Sequence, residues 1–472
     1  MERVASLLQR ITWLFTRTDD HTQERVRRMS LTGLSAMVAT GTIMFVGFIS
    51  VPLTVGYLGP ERYGLWITIS SLLNWLIISD VGFNSALVNV LAEADGQDDP
   101  VRAQGLVATT FWVLLGIALL IALIAVVLVP LVDWPDFFQV QGVVDTQEVV
   151  LSVWLALLIF CLTFPTNMVH SVYRGYQTEY KANLWEIAAS VLSLINLVIV
   201  VQFEAGLPLL ILALLGTRMA VRLVNMFVLL RYDYPWLWPA PHMVSMTHLR
   251  RLWGLGGFYL LQQIGNIGML QSQPIILTRL IGPVAAGSFA VSYRLLHIPR
   301  DLLLVLLGPF IASYGEARAR GDWPWMRRTL LWKTAGSVLL TLVLTLPLAL
   351  LSPLIITYWA DPALVPDMMT IVWLALFTII SGLASPLAVF VQGLERANHI
   401  AMLTIANGIA TILLSFWLVP WMGMAGMALA MVLALAFIST TYVGALSIYL
   451  LRHGETPAAA AASQPEHLGD AP

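Results

Sequence analysis

Arg294, His297 and Asp301 lie at i, i+3 and i+7 of one long apolar run, with Arg300 beside Pro299, so one face of a single helix is polar. A charged side chain at the centre of a spanning helix costs about 2.5–3.5 kcal/mol, and those that persist face a partner or a wet cavity. Arginine is permanently charged and offers a planar fork of donors to phosphate oxygens. Arg294 and Arg300 therefore suit the capture of an anion; a structural pair within a bundle is the competing reading. His297 has the chemistry to relay a proton, or to serve as a hydrogen-bonded structural residue. Gln262, Asn266 and Gln273 share one helical face within about 40°, a neutral stripe suited to hydroxyl groups or to bonds between helices. Arg218 and Arg222, one turn apart, either extend a basic path or pair with Glu186, and the pair or snorkelling is the better account. Catalytic chemistry is not in view. Cys161 has no second cysteine to join in a disulfide or thiolate metal site, and no phosphate-cradling P-loop occurs. Neither an enzyme, a metal nor a cofactor is expected.

These residues need a scaffold, and composition decides its class. Of 472 residues, 58% are hydrophobic and 11% charged, against roughly 25% charged in a soluble domain. The expectation is an all-α polytopic membrane protein. Apolar runs fall at 33–58, 64–91, 104–132, 149–173, 183–203, 207–230, 252–280, 284–312, 330–357, 367–391, 400–419 and 423–450, which is about twelve transmembrane helices. Net charge is −2, so no global basic field points to nucleic acid.

Charge placement is more telling than charge sum. With Met1 in the cytoplasm, only Arg62 and Arg279 of the 25 Lys and Arg fall outside, and Arg218, Arg222, Arg294 and Arg300 fall within spans. The rest lie on the cytoplasmic side, as the positive-inside rule requires, and both termini are cytoplasmic. The outer loop 133–148 is acidic and carries no base. Trp134, Trp236, Trp238, Trp323, Trp325, Trp359 and Trp421 sit at span ends, where aromatic belts form without any ligand. Segment 1–28 carries Val4, Leu7, Leu8, Ile11, Leu14 and Phe15 on one stripe against Arg3, Arg10 and Arg17, an amphipathic helix lying in the interface or packed on the bundle. No signal peptide is expected before the spans, and the Ala- and Pro-containing tail 454–472 reads as disordered.

An internal repeat organises the spans. Arg27, Arg28, Gly33, Gly59, Pro60, Gly64, Glu93 and Asp99 recur as Arg250, Arg251, Gly256, Gly282, Pro283, Gly287, Glu316 and Asp322, all at one ungapped offset. Chance matches in an apolar chain would be Leu, Ala and Val, not Gly, Pro and charge. The chain thus divides into a cytoplasmic segment 1–28, an N-lobe of six spans at 29–232, a C-lobe of six spans at 233–453 and the tail 454–472. Six is even, so the repeats are parallel, and substrate sites in such transporters lie where repeats meet, near midplane. The same offset maps Asp80 onto Leu303, nearly at the depth of Arg300, which makes Asp80 a counter-ion or a coupling residue together with Asp301 and His297.

The stretch Val51-Pro-Leu-Thr-Val-Gly-Tyr-Leu-Gly-Pro-Glu-Arg-Tyr-Gly-Leu-Trp, followed by Ile78-Ser-Asp-Val-Gly-Phe-Asn-Ser-Ala-Leu-Val, resembles the opening hairpin of bacterial polysaccharide-repeat-unit (O-antigen type) flippases. These belong to the multidrug/oligosaccharidyl-lipid/polysaccharide exporter superfamily. The turns Arg174-Gly-Tyr-Gln and Gln392-Gly-Leu-Glu-Arg are similar to that family's short cytoplasmic turns, and the resemblance covers nearly the whole chain. It implies a V-shaped, alternating-access exporter of the bacterial inner membrane that flips a lipid-linked oligosaccharide, carried on a polyprenyl pyrophosphate, from the cytoplasmic to the periplasmic leaflet. Arg294 and Arg300 would meet the pyrophosphate and Gln262, Asn266 and Gln273 the sugar. It also leaves room for contact with polysaccharide assembly proteins. A cation-coupled multidrug exporter of the same superfamily is the nearest alternative, although midplane arginines favour an anionic cargo. A polytopic glycosyltransferase or polymerase would need a larger aqueous region than loop 133–148 provides.

Overall fold

The structure is a computed structural model that describes residues 21–203 and 206–453. The expected amphipathic stripe of the N-terminal segment and the tail 454–472 lie outside the described residues. Every described element is helical, as it must be where lipid offers the backbone no hydrogen-bond partner. In chain order the main helices are α1 (His21–Leu76), α2 (Phe83–Gly96), α3 (Pro100–Leu128), α4 (Thr146–Gly175), α5 (Glu179–Val200) and α6 (Gly206–Asp233). Then follow α7 (Met246–Leu270), α8 (Ser272–Leu280), α9 (Pro283–Leu307), α10 (Phe310–Ala319), α11 (Trp323–Trp359), α12 (Met368–Gly393), α13 (Ala397–Met422) and α14 (Met424–Arg452).

Among the described residues, 10 helices are long and apolar enough to cross a membrane. The difference from about twelve has two sources. The first candidate, Ser30–Asp80, takes in two of the expected spans, which part at a kink at Gly59 (φ 74°) just before Pro60. The expected span 252–280 forms α7 and α8, but Gln262, Gln263 and Asn266 dilute its apolar character. Side chains such as those of Leu119, Leu123, Leu350 and Phe437, each more than 60% exposed, present the apolar surface that lipid covers.

Two compact units divide the chain. The first takes the described residues through Gln263 with Gly282–Gly287 and Trp359–Ala363; the second takes Ile264–Ile281, Ser288–Tyr358 and the residues from Leu364 onward. Inside the first unit the two repeated Gly-Pro turns pack on each other. Gly64 lies so close to the Pro283 carbonyl that a β-carbon would overlap it, and its repeat mate Gly287 lies against Tyr63 and Gly64. Small residues at these positions let backbones approach closely.

The run expected as one span over 64–91 is broken. After Leu76 the chain tightens into a 3₁₀ turn at Ile77–Asp80, passes through Val81 (φ 53°) and Gly82 (φ 76°), and restarts as α2. Gly82 can take that backbone and also press against Gly256 and Tyr259 of α7, where a side chain would collide. A second break, the 3₁₀ turn Phe164–Asn167 containing Pro165, interrupts α4. The core of this unit packs Phe83, Leu87 and Leu91 of α2 with Met168, Val172 and Tyr173 beyond that break. Discontinuous helices of this kind expose backbone only where protein or a cavity receives it.

Candidate functional site

The two breaks surround a cavity of about 600 Å³ within the first unit, inside the roughly 300–1,000 Å³ span of small-molecule sites. Its wall is built from α1, the Ile77–Asp80 turn, α2, α4, α5 and α6. Asp80, buried at 6% exposure, is part of its lining. The Asp80 carboxylate accepts from the Gly82 amide at 2.6 Å and from Asn84 Nδ2 at 2.9 Å, so it closes the turn that restarts α2. Ser171 donates to the Asn84 carbonyl at 2.7 Å and ties α4 to the same turn.

Beyond Pro165, α4 turns a polar face to the cavity: Asn167, His170, Ser171 and Arg174 follow helical spacing. Glu186 of α5 is the hub. It accepts from His170 Nε2 at 3.1 Å and from Arg222 of α6 at 3.3 Å, and Arg222 also donates to Asn167 Oδ1 at 3.2 Å. The Arg222–Glu186 pair preferred from the sequence is thus formed. Arg174, also in the lining, donates to Glu179 at 2.7 Å. Four helices are cross-linked by polar bonds that lipid would otherwise leave unmet.

The second unit carries the arginine face on α9. His297 is buried at 5% exposure, stacked on Tyr293 at 4.2 Å and on Phe377 at 5.5 Å between centroids. Arg300 donates to His297 Nε2 at 3.2 Å. The Tyr293 hydroxyl lies 3.0 Å from the same nitrogen. Arg300 also stands 4.0 Å from Asp301, whose side chain is partly exposed, and Arg294 lies nearly two turns earlier on an exposed part of the helix. His297, Arg300 and Asp301 are therefore brought together, with Arg294 in electrostatic reach of Asp301. The sequence stripe on α7 and α8 is placed only in part. Gln273 is buried and donates to the Met269 carbonyl at 2.8 Å, while the side chains of Gln262 and Asn266 lie outside the described residues.

Sequence reasoning missed Asn84, Asn167, His170 and Arg174 as members of a site. A helical count from Asn167 would have found the α4 face, but nothing in linear order joins it to Glu186 and Arg222. At the far end of α2, Glu93 accepts from Arg102 at 3.0 Å and from Arg251. The Arg102 guanidinium, then Arg251, holds this carboxyl below the usual glutamate range. Among the described residues no group of three or more His, Cys, Asp or Glu could hold a metal ion.

A family model described as "Polysaccharide biosynthesis protein" matches residues 32–314. The succinoglycan biosynthesis transport protein ExoT of Rhizobium meliloti (strain 1021) is 23% identical over 381 residues, covering 79% of this chain and 69% of that protein. In fold, the chain is similar to an inward-facing multidrug resistance MATE family transporter of the MOP superfamily, with TM-score 0.75 and 14% identity over 89% of this chain and 100% of that one. It is also similar to the lipid II flippase MurJ in an inward closed conformation, with TM-score 0.63 and 13% identity over 88% and 91% of the two chains.

Proposed function

This chain belongs to the family of polysaccharide biosynthesis proteins, and from that premise we propose that it flips a polyprenyl-pyrophosphate-linked oligosaccharide from the cytoplasmic to the periplasmic leaflet of a bacterial inner membrane. It is a multi-pass membrane protein. The proposed orientation, with both termini cytoplasmic, is supported by the one-sided distribution of Lys and Arg in its loops.

The observation that carries the reading is the α9 face. Two guanidinium groups, Arg294 and Arg300, sit within a spanning helix beside His297 and the Asp301 carboxylate. Such a set has cationic excess and fork geometry, the two properties a pyrophosphate requires. Asp301 balances the pair between substrates. Asp80 is assigned as a counter-ion or coupling group; its enclosed carboxylate is bonded to Gly82 and Asn84. The names of ExoT, a transport protein, and of MurJ, a lipid II flippase, point the same way.

The test is export. Arg294→Ala/Arg300→Ala should insert and fold, abolish surface polysaccharide, and leave lipid-linked saccharide in the inner leaflet. Arg300→Lys should restore part of it, keeping charge but losing the fork. Full export by the double variant refutes the phosphate role. Unchanged lipid-linked saccharide together with new drug sensitivity on deletion of the chain would favour a multidrug exporter instead.

A further inference from the structure

The cavity of the first unit has a chemistry opposite to that of the α9 face. Its cations are spent on protein acceptors: Arg222 on Glu186 and Asn167, Arg174 on Glu179. With Asp80, Glu179 and Glu186 against Arg174 and Arg222, no cationic excess remains in the lining. A pyrophosphate entering here would compete with Glu179 and Glu186 for guanidinium groups that those carboxylates already engage.

The neutral groups remain. Asn84 Oδ1 is out of contact with solvent and accepts no hydrogen bond, although its amide nitrogen is committed to Asp80. Asn84 itself lines the cavity, and its Oδ1 keeps its lone pairs for a donor that a shift of the side chain would admit. Ser171 donates to the Asn84 carbonyl and keeps lone pairs to accept with. Ser85 is exposed at the cavity, and Phe160 adds an apolar patch to the lining. Donors, acceptors and a hydrophobic surface without net positive charge match a sugar ring, which carries hydroxyls on its rim and C–H groups on its faces.

We propose that this cavity binds the neutral saccharide portion of the cargo. The inference rests on the flippase reading for the identity of that cargo, and it separates the sugar site from the Arg294–Arg300 face. The experiment places the sole thiol in the cavity, in a full-length Cys161→Ser/Ser85→Cys protein, and follows its modification by a charged methanethiosulfonate reagent in detergent. The probe is the mixture of saccharides released by mild acid from the host's lipid-linked pool. At about ten times its dissociation constant the probe should slow modification about tenfold, whereas inorganic pyrophosphate should not. Adding Asn84→Ala should abolish the protection while a thiol placed at Thr247 stays insensitive throughout, and unfolding curves confirm that both proteins are folded. Protection by pyrophosphate alone, or no protection by the saccharides, overturns the assignment. Export by the wild-type chain in cells is scored separately. Export without protection refutes the sugar cavity only, and protection without export refutes the flippase reading only.

Discussion

Removing the Glu186 carboxylate tests whether the cavity network is one coupled unit. Glu186→Ala strips both His170 and Arg222 of their shared acceptor and leaves a guanidinium held by Asn167 alone. The side chains of Glu186 and Arg222 keep 20% and 31% exposure. Breaking a fully buried pair costs about 3–5 kcal/mol and a surface pair about 0–1 kcal/mol, so this partly screened pair should lose about 2 kcal/mol. Arg222→Met keeps the apolar stem of the side chain and leaves Glu186 with His170, at about 1 kcal/mol. In the double variant no uncompensated guanidinium remains, so it should be more stable than Glu186→Ala by about 1 kcal/mol; its loss then falls about 2 kcal/mol short of the sum of the singles, a coupling within that expected of contacting residues. The assay is denaturant unfolding in detergent micelles, followed by tryptophan fluorescence, for the wild type and all three variants. Strict additivity, with the double variant losing the sum of the singles, would refute the reasoning and reduce the network to independent contacts.

Gly64→Ala should destabilise the protein by about 1–3 kcal/mol through overlap with the Pro283 backbone. Gly56→Ala, with open space around it in the same helix, should be neutral or gain up to about 1 kcal/mol; equal effects in thermal unfolding would defeat the close-approach account. Asp80→Ala removes the acceptor for the Gly82 amide and should cost about 1–2 kcal/mol, as capping losses do, whereas Asp80→Asn retains an acceptor and should unfold near the wild type. If that Asn variant exports independently of the proton gradient, Asp80 is a proton carrier and not a counter-ion. Glu93 supplies a pH test. Its folded carboxyl titrates below the ordinary value of 4.5, so its contribution is fully present above that pH and disappears as pH falls through the folded value. Glu93→Gln should thus be less stable than the wild type at pH 6 and should match it in strong acid, and a difference that persists there would contradict the Arg102 and Arg251 contacts.

Much of the architecture is legible in one dimension because lipid imposes one-dimensional rules. A backbone in hydrocarbon must satisfy itself, so apolar run length alone declares helices, and Gly59-Pro60 and Gly282-Pro283 end them wherever they stand. The arginine face of α9 was equally readable, since His297, Arg300 and Asp301 share one helix and helical spacing brings them together. The Arg222–Glu186 pair was readable as a preference, because a spanning guanidinium needs an acceptor and few carboxylates lie at its depth.

The sequence by itself determined the membrane class, the helical content and the repeat, since each follows from local composition and spacing. Only the tertiary structure decided the break at Ile77–Gly82, which carries no proline; Gly82 meets Gly256 and Tyr259 of a distant helix there, and a straight helix would not make that approach. It also decided the cavity. Asn84, His170, Glu186 and Arg222 belong to four helices, and no spacing along the chain records that their polar faces converge. Helix periodicity tells which side of a rod is polar; which rods stand face to face is settled by packing, where each buried donor must find its acceptor.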